Sequence, residues 1–159
     1  NVTAYGTETM HVLRAEKGFV IVGQETDGTQ TPQDLGMDWI VSKKKDFIGK
    51  RSFLRADTRR DKRHQLVGVL PVNRNVLLPE GSYILENEQF TKDSKNSHIG
   101  YITSSYRSDV LNRTFALAMI ADGRNKIGSK VQIPIGSNLE TVEIVDSVFY
   151  DKENMRRDG

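Results

Sequence analysis

No cysteine occurs in the 159 residues of this chain. That absence excludes a disulfide framework, a thiolate nucleophile and any Cys-ligated zinc or iron–sulfur centre. There are three histidines, His11, His64 and His98. They are far apart and lack the convergent spacing that a metal site needs. Nothing approaches the run of ~18 apolar residues required for a membrane helix. Aromatic residues are 8% of the chain, too few to interleave with basic runs as single-stranded nucleic-acid binders do. The sequence has no Gly-x-Gly-x-x-Gly fingerprint, no Walker loop, no His-Glu-x-x-His helix and no Gly-x-Ser-x-Gly elbow. Any redox cofactor is therefore expected on another polypeptide or another segment. The N-terminus has neither a basic nor a hydrophobic region, so it does not read as a signal peptide. It also lacks an initiator Met, which suits a piece of a longer polypeptide. The composition predicts a cytoplasmic protein, with neither a nucleic acid nor a membrane as partner.

The formal charge is only +2, but the positive groups are clustered at Lys43–Lys45 and Arg59–His64. Acids sit beside both runs, so their ordinary reading is solvated surface. Helical spacing covers Thr7 to Lys17, with Thr7 as N-cap, Glu8 in the first turn and Gly18 past the end. Phe19–Val22 reads as a short apolar strand, and Gly23–Thr31 as a loop. Pro32 opens a helical turn that Gly36 closes. Trp39–Val41 reads as extended, with Trp39 in the core. A second helix is expected from Gly49 through Arg60, burying Phe53, Leu54 and Ala56.

From Gln65 onward the apolar spacing changes to two. Val131, Ile133 and Ile135 alternate with Gln132 and Pro134, and Val142 and Ile144 flank Glu143. Such alternation marks strands with one buried face. The six expected strands are Leu66–Leu70, Ser82–Leu85, His98–Thr103, Thr114–Ile120, Lys130–Ile135 and Thr141–Phe149. Six short strands between Gly, Asn and Asp turns suggest a closed barrel or small sandwich. Pro134 cannot donate to a ladder, so its strand belongs at an edge or a barrel rim. The expected organisation is residues 1–63, then a barrel over 64–150, then a loosely ordered tail over 151–159.

Glu16 stands out because a helix turns ~100° per residue, which aims it between Val12 and Leu13 on the apolar side. A buried carboxylate must be paired or hydrogen-bonded. Either a local Lys or Arg supplies the partner, or a ligand with N–H donors does so; spacing leaves both open.

Several blocks occur in a set order. They are Leu13-Arg14-Ala15-Glu16-Lys17-Gly18, Thr31-Pro32, Trp39, Asp46-Phe47-Ile48-Gly49-Lys50, Gly100–Tyr106 and Arg113–Ala118. Together they resemble the aminomethyltransferase (glycine-cleavage T-protein) superfamily over nearly the whole chain. Glu8–Glu16, Val41–Lys45 and Gly123–Gly128 are closest to the branch in which this module ends the large subunit of a heteromeric amine oxidase. The resemblance implies an α+β fold: a truncated T-protein-like folate-binding domain followed by a mostly antiparallel C-terminal β-barrel. It implies tetrahydrofolate as the ligand, with flavin and NAD elsewhere in the parent complex. The implied partners are the remaining domains of that subunit and its companion subunits.

The same resemblance assigns the folate contacts. Glu16 matches the glutamate that accepts hydrogen bonds from the pterin amino and ring N–H groups. Lys45 falls where the family has a cationic contact; Lys43, Lys44 or a merely solvated lysine are the alternatives. Tyr150 matches a tyrosine that closes over the ligand, the alternative being an aromatic packed at a strand end. The family's catalytic aspartate lies in a segment preceding Asn1, so no catalytic residue is expected here and the isolated chain is expected to be inactive. The Asp34–Trp39 wording departs from that of T-protein itself. Two readings of another class are a non-catalytic scaffold on the same fold and an oligonucleotide-binding barrel.

Overall fold

A computed structural model describes residues 3–86 and 98–159. Its centre is a closed barrel of six antiparallel strands: β1 (His64–Pro71), β2 (Tyr83–Leu85), β3 (His98–Ser108), β4 (Arg113–Ala121), β5 (Lys130–Ile135) and β6 (Asn138–Val145). The strands run β1-β4-β3-β2-β5-β6 around the wall, and β6 returns to β1 through pairs such as Val69 with Ile144. Closure removes the sheet edges that an open sandwich would have to protect. Pro134 pairs with Leu139 on β6. On its other side, β5 meets β2 only at Gln132 and Leu85 among the described residues. The missing N–H of Pro134 therefore falls at the rim.

The interior is filled from alternate positions: Val67, Val69, Ile84, Ile102, Ala116, Ala118, Ile120, Val131, Ile133, Val142 and Ile144. β4 differs from the other strands because its outward residues are buried too. Phe115, Leu117 and Met119 join Ala15 and Leu66 in a second cluster, flanked by Val12, Val20, Leu35 and Phe149. The N-terminal region therefore rests on the outside of the barrel through helix α1 (Thr7–Glu16) and the segment that follows it.

β3 can serve this contact because it contains a bulge. The β3–β4 register shifts between Ile102, opposite Ala118, and Ser104, opposite Leu117. The extra residue, Thr103, turns its hydroxyl to Leu117 O at 3.1 Å. An inserted residue reverses which face later side chains take. Beyond it, Ser104 and Tyr106 share the outer face with Leu117 and Phe115, while Ser105 turns inward to accept from Leu78 N.

Several sequence expectations need correction. The N-cap of α1 is Gly6, one residue earlier than Thr7. Leu13 is 47% exposed, so the buried side of α1 runs through Val12, Ala15 and Glu16. Phe19–Val22 forms no ladder strand, since Ile21 spends its N–H on Glu25 Oε2 and its carbonyl on Gln24 N and Glu25 N. Trp39 lies in a 3-10 turn (Asp38–Ile40) and is 79% exposed, so it is not a core residue. The helix expected over 49–60 splits into a 3-10 turn (Lys50–Leu54) and a short α2 (Ala56–Arg59). Arg55 between them is extended, and neither piece buries a residue. Strands β3 and β6 are also shifted, β3 running on to Ser108 and β6 spanning Asn138–Val145.

Residues 146–150 form a strap from the barrel to the C-terminus of α1. Two glycines admit it. A Cβ on Gly68 would lie 2.3 Å from Asp146 O and 2.7 Å from the Phe149 ring. Gly18, at φ +68°, would place a Cβ 2.6 Å from Ser147 O. Gly18→Ala combines a left-handed conformation that side chains disfavour with a backbone clash. It is expected to lower stability by roughly 2 kcal/mol. Urea unfolding followed by circular dichroism measures this, and an unchanged midpoint would show that the strap does not press on Gly18. Residues 151–159 carry α3 (Met155–Asp158), and Lys17 Nζ donates to Asp151 O and Asn154 Oδ1 at 2.6 and 2.8 Å.

Candidate functional site

α1 ends against β3, and its last turn places three charged or polar groups in the contact. Ser104, Tyr106 and Ser108 occupy alternate positions beyond the β3 bulge, and each holds a partner from the N-terminal region. Ser104 Oγ donates to Glu25 Oε1 at 2.9 Å. Tyr106 Oη accepts from Arg14 Nη2 at 3.1 Å. Ser108 Oγ donates to Glu16 Oε1 at 2.6 Å.

Glu16 is 3% exposed. Among the described residues no cation pairs with it, and no protein donor reaches its second carboxylate oxygen, Oε2. Its carbonyl oxygen accepts from both Phe149 N and Tyr150 N, at 2.9 and 3.1 Å. Backbone hydrogen bonds thus bring Glu16 and Tyr150 together, and the strap holds Phe149 edge-on to Phe115 with ring centroids 4.7 Å apart. A buried carboxylate with one oxygen satisfied from within, and no counter-charge, retains acceptor capacity for a polar N–H ligand.

Lys45 lies elsewhere. It is exposed, on a loop that Ser42 Oγ ties to Lys44 N and Lys45 N. Lys43, Lys44 and Lys45 line one surface hollow of about 440 Å³ with Asp38, Trp39 and Ser42. Trp39 also borders a second hollow, of about 460 Å³, lined by Lys17, Gly18, Phe19, Val20 and Val148. That hollow flanks the junction of Glu16 with the strap. Trp39 therefore stands between the Lys45 loop and the Glu16–Tyr150 junction; no hydrogen bond joins Lys45 to Glu16 among the described residues.

Sequence reasoning missed two buried ion pairs. Arg14 Nη1 meets Glu25 Oε2 at 2.7 Å, both side chains nearly inaccessible. Glu25 Oε2 also accepts from Ile21 N. Arg14 reaches Phe19 O and Gln24 Oε1 as well, with its guanidinium carbon 5.6 Å from the centre of the Tyr106 ring. Burial disfavours the Arg14 charge, but hydrogen bonds to Glu25 and Tyr106 outweigh it and hold the group more firmly protonated. Arg14 stands two residues before Glu16, in a block already singled out. Glu25, in a polar loop, carries no local signal.

The second pair is Asp34 with Arg63, at 2.6 Å. Asp34 Oδ2 also accepts from the backbone and hydroxyl of Thr31, closing the turn that Pro32 opens. Burial alone would raise the Asp34 carboxyl, yet Arg63 and Thr31 hold it below the usual carboxylate range. The unfolded chain titrates Asp near ~3.9, so the folded state binds fewer protons there. Its contribution is complete above that value and is lost as pH falls through the lower folded value. Urea midpoints measured between about pH 2.5 and 5 should fall less steeply for Asp34→Asn than for the native chain. At neutral pH that variant should be the less stable of the two. Parallel acid profiles would show that the pair contributes nothing.

The descriptions of two related domains match this chain. "Glycine cleavage T-protein C-terminal barrel domain" covers residues 64–151, and "GCVT N-terminal domain" covers residues 1–45. The chain belongs to the glycine-cleavage T-protein family. It is 52% identical over 159 residues to the sarcosine oxidase subunit alpha of Corynebacterium sp. (strain U-96), covering 100% of this chain and 16% of that relative. The subunit alpha of Rhizobium meliloti (strain 1021) is 37% identical over 158 residues, covering 98% of this chain and 16% of the relative. An aminomethyltransferase of Clostridium botulinum (strain Loch Maree / Type A3) is 30% identical over 150 residues, covering 93% and 38%. The fold matches the crystal structure of glycine cleavage system aminomethyltransferase T from Bartonella henselae with a TM-score of 0.73 at 22% identity, over 88% of this chain and 37% of that one. The chain thus spans about one-sixth of the length of its sarcosine oxidase relatives. No helix among the described residues is long and apolar enough to cross a membrane.

Proposed function

We propose that this chain forms part of a tetrahydrofolate site in a sarcosine oxidase alpha subunit. The observation that carries the reading is Glu16: a buried carboxylate with one oxygen held by Ser108 and, among the described residues, no protein donor on the other. Two carboxylate oxygens suit the parallel N–H donors of a pterin, and Oε2 is the acceptor left for one of them. Bound tetrahydrofolate would supply the nitrogens that accept a one-carbon unit released by sarcosine oxidation, giving 5,10-methylenetetrahydrofolate. The residues here bind and orient. Glu16 holds N–H donors, Tyr150 on the strap is adjacent in space, and Lys45 offers a cation to an anionic tail. Flavin and NAD belong to other parts of the complex, as do the remaining alpha-subunit domains and companion subunits.

The higher identity to sarcosine oxidase alpha than to aminomethyltransferase favours the oxidase over a T-protein or a dimethylglycine dehydrogenase module. The test is product partition in the full-length protein supplied with sarcosine. Adding tetrahydrofolate should lower free formaldehyde and raise 5,10-methylenetetrahydrofolate one for one. Formaldehyde release indifferent to folate would overturn the proposal.

A further inference from the structure

We infer that Ser108 is a positioning residue that decides which atom of residue 16 faces the ligand; the inference rests on the folate reading of Glu16. A serine hydroxyl has one proton and two lone pairs. Leu111 N donates to Ser108 Oγ at 3.0 Å, occupying one lone pair, and the hydroxyl proton goes to Glu16 Oε1 at 2.6 Å. Ser108 is fully buried, so no solvent competes for that proton. The Leu111 amide, fixed by the turn after β3, orients the hydroxyl, and the hydroxyl orients the carboxylate. Oε1 is committed inside the protein and Oε2 becomes the outward acceptor. The other anchors of this end of α1 act on the backbone: Phe149 N and Tyr150 N hold the Glu16 carbonyl. They set where the residue sits but not how its side chain is turned.

This has a consequence that a packing role does not share. In a Glu16→Gln variant the Ser108 proton selects the amide oxygen, which turns the amide NH2 toward the ligand's own N–H groups. Without the Ser108 hydroxyl the amide is free to flip and present its oxygen. The two substitutions are therefore coupled, and with a defined sign.

The experiment is equilibrium binding of tetrahydrofolate, under anaerobic conditions, to the full-length protein and four variants. Ser108→Ala alone should weaken binding about 5- to 20-fold, and Ser108→Thr, which keeps the hydroxyl, should restore most of that affinity. Glu16→Gln should cost about 30- to 150-fold in the native background but less than about 10-fold in the Ser108→Ala background. Should Ser108→Ala fail to accumulate, Ser108→Cys keeps a side chain of similar size with a weak donor, and should reduce the Glu16→Gln penalty in the same direction. An equal Glu16→Gln penalty in both backgrounds overturns the positioning role and leaves the folate reading intact. No Glu16→Gln penalty in the native background overturns the folate reading itself.

Discussion

Glu16→Gln in the full-length protein is expected to separate amine oxidation from one-carbon capture. The substitution keeps the shape of the side chain and removes one acceptor. One pterin N–H then meets an amide NH2, so a charge-assisted hydrogen bond is lost and a buried donor is left unsatisfied. Together these should cost roughly 2–3 kcal/mol of folate affinity, about 30- to 150-fold. Sarcosine should still be oxidised at close to the native rate, because the flavin belongs to another part of the complex. The carbon should then leave as free formaldehyde in place of 5,10-methylenetetrahydrofolate. Oxygen uptake and both products, measured in parallel, decide it. If oxygen uptake collapses together with folate binding, Glu16 holds the fold and is not a ligand contact.

Periodicity made the barrel legible. Val131, Ile133 and Ile135 alternate as a half-buried strand must, and they fill the interior with Val142 and Ile144 from the neighbouring strand. α1 was legible too, since a helix of ten residues with Glu8 and Arg14 at matching ends of its dipole announces itself. Local pattern failed where backbone groups are satisfied by particular side chains. Phe19–Val22 has the composition of a strand, but Glu25 takes the Ile21 amide and folds the segment into a turn. The region from Gly49 to Arg60 has helix formers without a buried face, and Leu54, at 68% exposure, has nothing to pack against in this chain. The surroundings of Glu16 were hidden for a further reason. Alternation stops at Thr103 because that residue is a bulge, so the strand was read as ending there. The continuation carries Ser104, Tyr106 and Ser108, and Ser108 lies 92 residues from Glu16 in sequence. A one-residue insertion thus concealed the partners of the most informative side chain.

The Arg14–Glu25 pair should be the most costly single feature of the fold to break. Glu25→Leu removes a carboxylate that takes hydrogen bonds from Arg14, Ile21 N and Ser104 Oγ. It leaves the Arg14 guanidinium buried with only neutral acceptors, and removing one partner of a buried pair typically costs about 3–5 kcal/mol. Arg14→Met, leaving Glu25 uncompensated, should cost a similar amount. The double variant is the informative one. Two buried ions carry a desolvation penalty that their attraction only partly offsets, and Arg14 Nε is already buried without an acceptor. Replacing both by apolar groups of similar size should therefore give a chain more stable than either single variant, with the Ile21 amide and the Ser104 hydroxyl still unpaired. Urea unfolding of the four chains by circular dichroism closes the cycle, and a coupling of about 2 kcal/mol or more is expected. Strict additivity would mean that residues 19–26 detach readily and admit water to both charges. In that case Ser108 and the strap alone would hold the end of α1, and with it the orientation of Glu16.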